Sequence, residues 1–412
     1  VQLIAFLLVL AALVALAHYY LWLRLVRDTT RPGRTRRAGA LLAVLLGLLM
    51  IATPVASRAL PPEQARWLAW PGYLWVGLFF YLLVCLLVTE PVRLVAALAL
   101  RLRGRRRANV GPPSTTDRGN GGTWRAHIVP VDRRTVIARA GAAAVGIAAT
   151  GLVGYGVRTA LGPLRRTELS VALRRLPAEL DGMRIAVISD LHLGPMRGRR
   201  HTEQVVRMIN ELSPDLVAIV GDLVDGTPGE LRSAVAPLRD LVSTHGSFFV
   251  TGNHEYFSGA APWLAELSRL GVYPLVNERT EIRVGGAALD LAGVNDVTAA
   301  DTDDPGAVAP DIDRALGGRD PDRPVILLAH QPVQVHEAAE HGVDLQLSGH
   351  THGGQMFPFH AMVRLQQPVL RGLHRFGDTQ LFVTSGTGSW GPPVRVAAPP
   401  EVALVRLTPQ PR

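Results

Sequence analysis

Lysine is missing altogether: every one of the 43 basic residues is an arginine. A replacement that uniform reflects codon usage more than chemistry, and no function follows from it. Cysteine occurs once, as Cys85. That excludes an internal disulfide and leaves the redox compartment open. Charged residues are sparse, 19% against 48% hydrophobic, which excludes a disordered or low-complexity chain. Acidic residues are scarce in one half only. Residues 1–160 hold 20 arginines and five acids, whereas 161–412 hold 23 arginines and 29 acids. The net charge of +9 therefore belongs to the N-terminal part, which holds only two of the 13 histidines. Such a distribution argues against nucleic acid as a partner and assigns the basicity to a membrane surface.

At 412 residues the chain is long enough for two or more domains of about 150 residues. The reading is a membrane region at 1–160 and a second domain at 161–412. Residues 1–23 carry no formal charge and can cross about 30 Å of hydrocarbon at about 1.5 Å per residue. No basic segment precedes them, which disfavours a cleaved signal peptide. Further apolar runs cover 38–56, 73–89 (closed by Glu90-Pro91) and 135–157, the last rich in Ala and Gly. Residues 24–37 carry six arginines and 101–134 carry nine, while 57–72 carry two. Basic loops stay cytoplasmic, so the expectation is a multi-pass cell-membrane protein with four all-α spans, an outside N-terminus and an extracytoplasmic second domain. Arg133-Arg134 before a weakly apolar run reads either as a twin-arginine export signal or as two more positive-inside charges. The stretch 108–128 reads as a polar linker.

From 184 onward the pattern alternates short β-branched apolar runs with helical stretches. Strands are expected at 184–189, 216–220, 247–250, 288–294, 325–329, 345–347 and 381–384, and helices at 200–212, 229–242, 261–270 and 333–341. This alternation predicts an α/β domain with buried strands and functional loops at the strand ends. The acidic stretch 300–323 reads as a surface insertion.

Five strand ends carry polar clusters: Asp190-Leu191-His192, Gly221-Asp222-Leu223-Val224-Asp225, Gly252-Asn253-His254-Glu255, His330 and Gly349-His350-Thr351-His352. Each alone is weak, since Asp or Asn after a strand is commonly a cap or turn residue. Together they form a set. Asp-x-His and His-x-His put two donors on one side of an extended segment. A mixture of carboxylate, imidazole and amide oxygen suits Mn, Fe or Zn. Two divalent ions against two carboxylates leave positive charge for an anionic phosphoester.

In that order the clusters resemble the calcineurin-like metallophosphoesterase superfamily over about residues 183–390, in its membrane-anchored bacterial branch. The resemblance implies a four-layer α-β-β-α sandwich with two metal ions. Asp190, His192 and His352 would hold one ion, Asn253, His330 and His350 the other, and Asp222 would bridge them. His254 would contact the phosphate or protonate the leaving group, with Asp225 holding its orientation. Asp225 also reads as a helix-start residue. A water shared by the two ions would ionise near neutral pH and attack phosphorus.

Phosphoprotein phosphatases of the superfamily continue Gly-Asp-x-x-Asp with Arg-Gly, and here Gly226-Thr227 follows. A diester or a membrane-associated, lipid-linked phosphate compound is the favoured substrate. Arg197, Arg199 and Arg200 read as solvated surface residues or as phosphate contacts. The alternatives are a non-enzymatic metal-binding module on the same fold and a transporter. The spans lack the carboxylates of an ion path apart from Glu90.

Overall fold

The computed structural model describes residues 2–108 and 133–410. The expected linker at 108–128 and most of the second basic loop lie outside the described residues. Four helices come first: α1 (Gln2–Leu21), α2 (Arg34–Ala59), α3 (Pro62–Ala108) and α4 (Arg133–Leu161). Among the described residues, four segments are long and apolar enough to cross a membrane: Leu8–Arg27, Arg34–Ala59, Pro62–Val95 and Arg134–Leu161. The third span does not close at Glu90-Pro91, because α3 runs on through both residues. A proline removes one ladder bond, but Glu90 on the same turn is fixed by Arg24, 2.9 Å away, and by Tyr20, whose hydroxyl donates at 2.7 Å. The one carboxylate of the spans that suggested an ion path is thus engaged in an ion pair.

By contacts the chain forms two compact units: 1–52 with 75–153, and 53–74 with 154–412. The second unit contains β1 (Arg165–Leu173), β2 (Arg184–Ile188), α5 (Arg199–Glu211), β3 (Leu216–Val220), α6 (Pro228–Val235), β4 (Ser247–Val250), α7 (Asn253–Ser258), α8 (Ala260–Arg269) and β5 (Val272–Pro274). It continues with β6 (Glu278–Val284), β7 (Ala287–Gly293), α9 (Ile312–Leu316), β8 (Val325–Leu328), α10 (Val335–Glu340), β9 (Leu345–Ser348), α11 (His360–Val363), β10 (Gly372–Phe376), β11 (Thr379–Val383) and β12 (Glu401–Pro409).

Two six-stranded sheets result, in the orders β1-β12-β2-β3-β4-β5 and β10-β11-β9-β8-β7-β6. Strands β2 to β5 are parallel, as are β7, β8, β9 and β11. Alternation along each strand divides its side chains between two cores. In β3, Leu216, Ala218 and Val220 meet Leu291, Leu328 and Leu347 of the second sheet. Val217 and Ile219 face Val205, Ile209, Val235 and Trp263 of the helices instead. The second sheet turns its outer face to α9 and α10 through Val325, Leu327, Ile312 and Ala338. The layers are therefore α-β-β-α, as the family resemblance implied. The strand ends that were read as motifs all fall at the carboxyl ends of β2, β3, β4, β8 and β9.

Part of the expected surface insertion belongs to this core. Ile312, Ala315 and Leu316 are buried, because their i, i+3, i+4 spacing gives one turn of apolar face within an acidic segment.

Trp263 is fully buried and donates from Nε1 to the Gly226 carbonyl at 2.9 Å. Trp263→Ala is expected to cost about 3–5 kcal/mol, read as a lowered unfolding midpoint of the full chain in detergent. An unchanged midpoint would contradict this packing.

Candidate metal centre

The parallel strands deliver their carboxyl ends to one edge of the sandwich, and there the chain turns abruptly. Asp190, His192, Asp222, His350 and His352 adopt φ of 55°, 46°, 53°, 70° and 50°. Non-glycine residues in this region are strained by about 1–3 kcal/mol each, and such strain gathers at functional sites. These turns differ from the extended geometry expected for Asp-x-His and His-x-His. Asp190 and His192 still share one cluster, whereas His350 and His352 join different ones, the division that the resemblance implies. Asn253 and His254 likewise sit on the first turn of α7, where successive side chains diverge by about 100°.

Among the described residues, three groups of donors converge within 4.8 Å: Asp190 with His192 and His352, Asp222 with His330 and His350, and His192 with Asp225 and His254. In the first, His192 Nε2 and His352 Nε2 are 3.0 Å apart. Asp190 Oδ1 lies 3.4 Å from His352 Nε2 and 3.9 Å from His192 Nε2. In the second, His330 Nε2 is 3.3 Å from Asp222 Oδ2 and 3.3 Å from His350 Nδ1, and Asn253 Oδ1 is 3.1 Å from His350 Nδ1. Asp222 stands between the groups, its Oδ2 also 3.7 Å from His192 Nε2.

These donors fit metal ions. Asp190 Oδ1 is buried and accepts no hydrogen bond, an arrangement that leaves a carboxylate lone pair unsatisfied unless a cation takes it. Bonds of about 2.0–2.2 Å to one ion place adjacent donors about 3 Å apart, which matches the nitrogen pair of His192 and His352. The ring tautomers agree. His330 Nδ1 donates to Val220 O at 2.7 Å, and His192 Nδ1 lies 3.0 Å from Asp225 Oδ1. Each leaves Nε2 aimed inward with a free lone pair.

Electrostatics show the same demand for positive charge. Burial would raise Asp222, but the imidazoles of His330, His254 and His192 hold it well below the ordinary carboxylate value. Burial would lower His254, yet Asp222 and Asp225 push it up to about 9. His330 rises well above its ordinary value because Asp222 outweighs its burial. Burial and the neighbouring His330 push His350 down to about 4. Burial, His192 and Arg395 push His352 well below its ordinary value. Two of the rings are thus held neutral, the form that binds metal.

Sequence reasoning passed over the residues that hold the loops. Glu255 closes the third cluster, and nothing in its spacing marks a role. Its carboxylate accepts from the backbone N–H groups of Gly252 at 2.7 Å, Leu223 at 2.8 Å and Asp222 at 3.0 Å, tying the β3 and β4 loops together. Burial first and Asp222 second raise it to about 7. Gly252 leaves no room for a side chain, since a Cβ there would lie 2.2 Å from Asp222 Oδ1. Arg395 gave no signal in the sequence because it lies outside every motif. It is fully buried and donates to Gly388 O at 2.8 Å and Ala398 O at 3.0 Å, with Nη2 3.1 Å from His352 Nδ1. Arg197 is buried rather than solvated and donates to Ala160 O at 2.8 Å. Arg199 pairs with Glu203 at 2.8 Å.

The family model described as calcineurin-like phosphoesterase matches residues 183–354, which include every one of these ligand candidates. An uncharacterized metallophosphoesterase of Helicobacter pylori is 42% identical over 264 residues, covering 63% of this chain and 69% of its own. The transmembrane protein with metallophosphoesterase domain of Danio rerio is 32% identical over 415 residues, 98% of this chain and 89% of its own. The chain belongs to the calcineurin-like metallophosphoesterase family. The Bos taurus protein of the same name as the fish relative is 41% identical over 262 residues, covering 61% of this chain and 59% of its own. This metallophosphoesterase is accordingly a metal-dependent hydrolase of phosphoester bonds.

Arg395→Met in the full-length metallophosphoesterase is expected to lower the unfolding midpoint in detergent, because the buried carbonyls of Gly388 and Ala398 lose their donor, at about 1–3 kcal/mol for each group left unpaired. Arg395→Lys should retain part of that stability. An unchanged midpoint for Arg395→Met would contradict this role.

Proposed function

We propose that the chain is a membrane-anchored phosphoesterase that uses two divalent ions, from among Mn, Fe and Zn, to hydrolyse a diester or membrane-associated phosphate compound. The observation that carries this reading is Asp222, a buried carboxylate between two donor clusters. Asp190, His192 and His352 would hold one ion, Asn253, His330 and His350 the other, and Asp222 both. The ions, when bound, supply the positive charge that draws a phosphoester and the acidity that activates water.

The protein's own groups do the rest. Asp225 Oδ1 lies 2.5 Å from His254 Nδ1 and 3.0 Å from His192 Nδ1, so one carboxylate orients both a ligand ring and a free ring. His254 Nε2 then holds a proton at the mouth of the site, where a departing alkoxide can take it. The His254 backbone N–H donates to Asp222 Oδ1 at 2.9 Å, which locks this ring to the bridging position. Gly226-Thr227 supplies no phosphate-gripping arginine after the second cluster. A substrate with a single ionised phosphoryl oxygen, such as a diester, suits that weaker grip.

Membrane anchorage is supported by the four apolar helices. The extracytoplasmic reading is supported by residues 53–74, the sparsely charged turn from α2 to α3, which group with the catalytic domain. The division at about residue 160 remains the functional one proposed: spans before it, catalytic domain after it.

Asp222→Ala in the full chain is expected to lower Mn2+-dependent hydrolysis of bis(4-nitrophenyl) phosphate about a thousandfold or more, with the unfolding midpoint retained. Full activity would refute the bridging role. His254→Asn should cost roughly a hundredfold or more for an alkyl leaving group and far less for 4-nitrophenolate, which departs without a proton. An equal loss for both would exclude His254 as the acid.

A further inference from the structure

Past the last ligand the chain exposes several large apolar side chains close together in sequence. Phe357 is 57% exposed, Met362 56% and Leu365 77%. All three lie within thirteen residues of His352, on α11 and its flanks. His360 anchors this segment against the metal loop, since a Cβ on Gly354 would lie 2.7 Å from its ring. Trp390, 56% exposed, and Phe257, 57% exposed, flank His254 at ring separations of 6.4 Å and 5.5 Å. A water-soluble domain has no reason to place five large apolar groups around a charged cleft.

What covers them is indicated by the helix ends in the same compact unit. The Phe357 N–H donates to Val396 O at 3.2 Å, and the Arg395 N–H donates to Gly156 O of α4 at 2.9 Å. A Cβ on Gly156 would clash with Val394 and Val396. The exposed run therefore begins beside the point where the last apolar helix reaches the domain. On the other flank, Arg58 at the end of α2 lies 5.7 Å over the Phe257 ring. Tyr73 of α3 would touch a side chain at Gly391, next to Trp390. Arg58 at the end of α2, Tyr73 within α3 and Gly156 near the end of α4 thus lie beside the residues that flank the metal centre, and the exposed aromatics continue that boundary. Aromatic rings with adjacent arginines, here Arg58 and Arg364, suit the headgroup level of a bilayer.

We propose that Phe357, Met362, Leu365, Trp390 and Phe257 form a bilayer-facing rim, through which an amphiphile bearing its phosphoester headgroup enters from the membrane plane. This rests on the phosphoesterase reading and names how its substrate arrives.

The test uses full-length protein carrying Cys85→Ala, in vesicles of phosphatidylcholine with phosphatidylglycerol. An environment-sensitive fluorophore on Met362→Cys should be quenched by nitroxides on the lipid chains. The same label on Arg174→Cys, at the opposite strand ends, should be quenched only by aqueous iodide. Quenching of the Met362→Cys label from water alone would overturn the proposal. A shielded label that lipid nitroxides cannot reach would also overturn it, in favour of a protein contact. In parallel, hexadecyl 4-nitrophenyl phosphate in the vesicles is compared with soluble ethyl 4-nitrophenyl phosphate. F357S/M362S/L365S should lower turnover of the hexadecyl ester roughly tenfold and leave the ethyl ester within about twofold. An unchanged ratio would overturn the rim. If the wild type cleaves neither ester with Mn2+, the phosphodiester reading fails, and the label position still decides whether the rim meets lipid.

Discussion

The structure depends on one unresolved electrostatic demand: carboxylates and imidazole lone pairs packed about 3–4 Å apart where water is scarce. Asp190 and Asp222 are 0% and 2% exposed, and among the described residues their ion-pair partners are histidines. Buried carboxylates of this kind are costly unless paired. Asp222 raises both His330 and His254 above the ordinary imidazole value, but Asp190 Oδ1 still has no hydrogen-bond partner. Five left-handed residues in the same loops add backbone strain. Cations between the donors offset both terms together, which ties the local folding of these loops to metal binding.

The sandwich is what makes such loops tolerable. Parallel strands buried on both faces fix the five turning points, and Glu255 fastens two of the turns through three backbone N–H groups. Arg395 closes the other side, from Gly388 to the ring of His352. Rigidity comes from residues that touch neither substrate nor, on this reading, the ions.

The buried parallel strands were legible because their apolar runs have no competing interpretation: 216–220 and 247–250 fall where the pattern placed them. The edge strands were not. Glu278–Val284 carries two glutamates and two arginines, and an edge strand with a solvated face lacks the apolar run that marks a central one. Strand β12 was missed because a nine-residue run after a proline-rich segment resembles a tail. At the site, every motif residue lies in or beside the donor clusters. The i, i+2 rule assumes an extended chain, and all four residues turn left-handed, so spacing alone does not decide that Asp190 and His192 share a cluster while His350 and His352 do not. Arg395 was illegible in principle, since its role is created by tertiary approach to His352 and leaves no local pattern.

The central claim is that the two clusters hold ions jointly through Asp222. Metal analysis of the purified full-length protein, loaded with Mn2+ and freed of excess, tests it most directly. The account predicts about two ions per chain for the wild type and fewer than one for Asp222→Ala at the same free Mn2+. No bound transition ion in the wild type, and none taken up on titration, would contradict it.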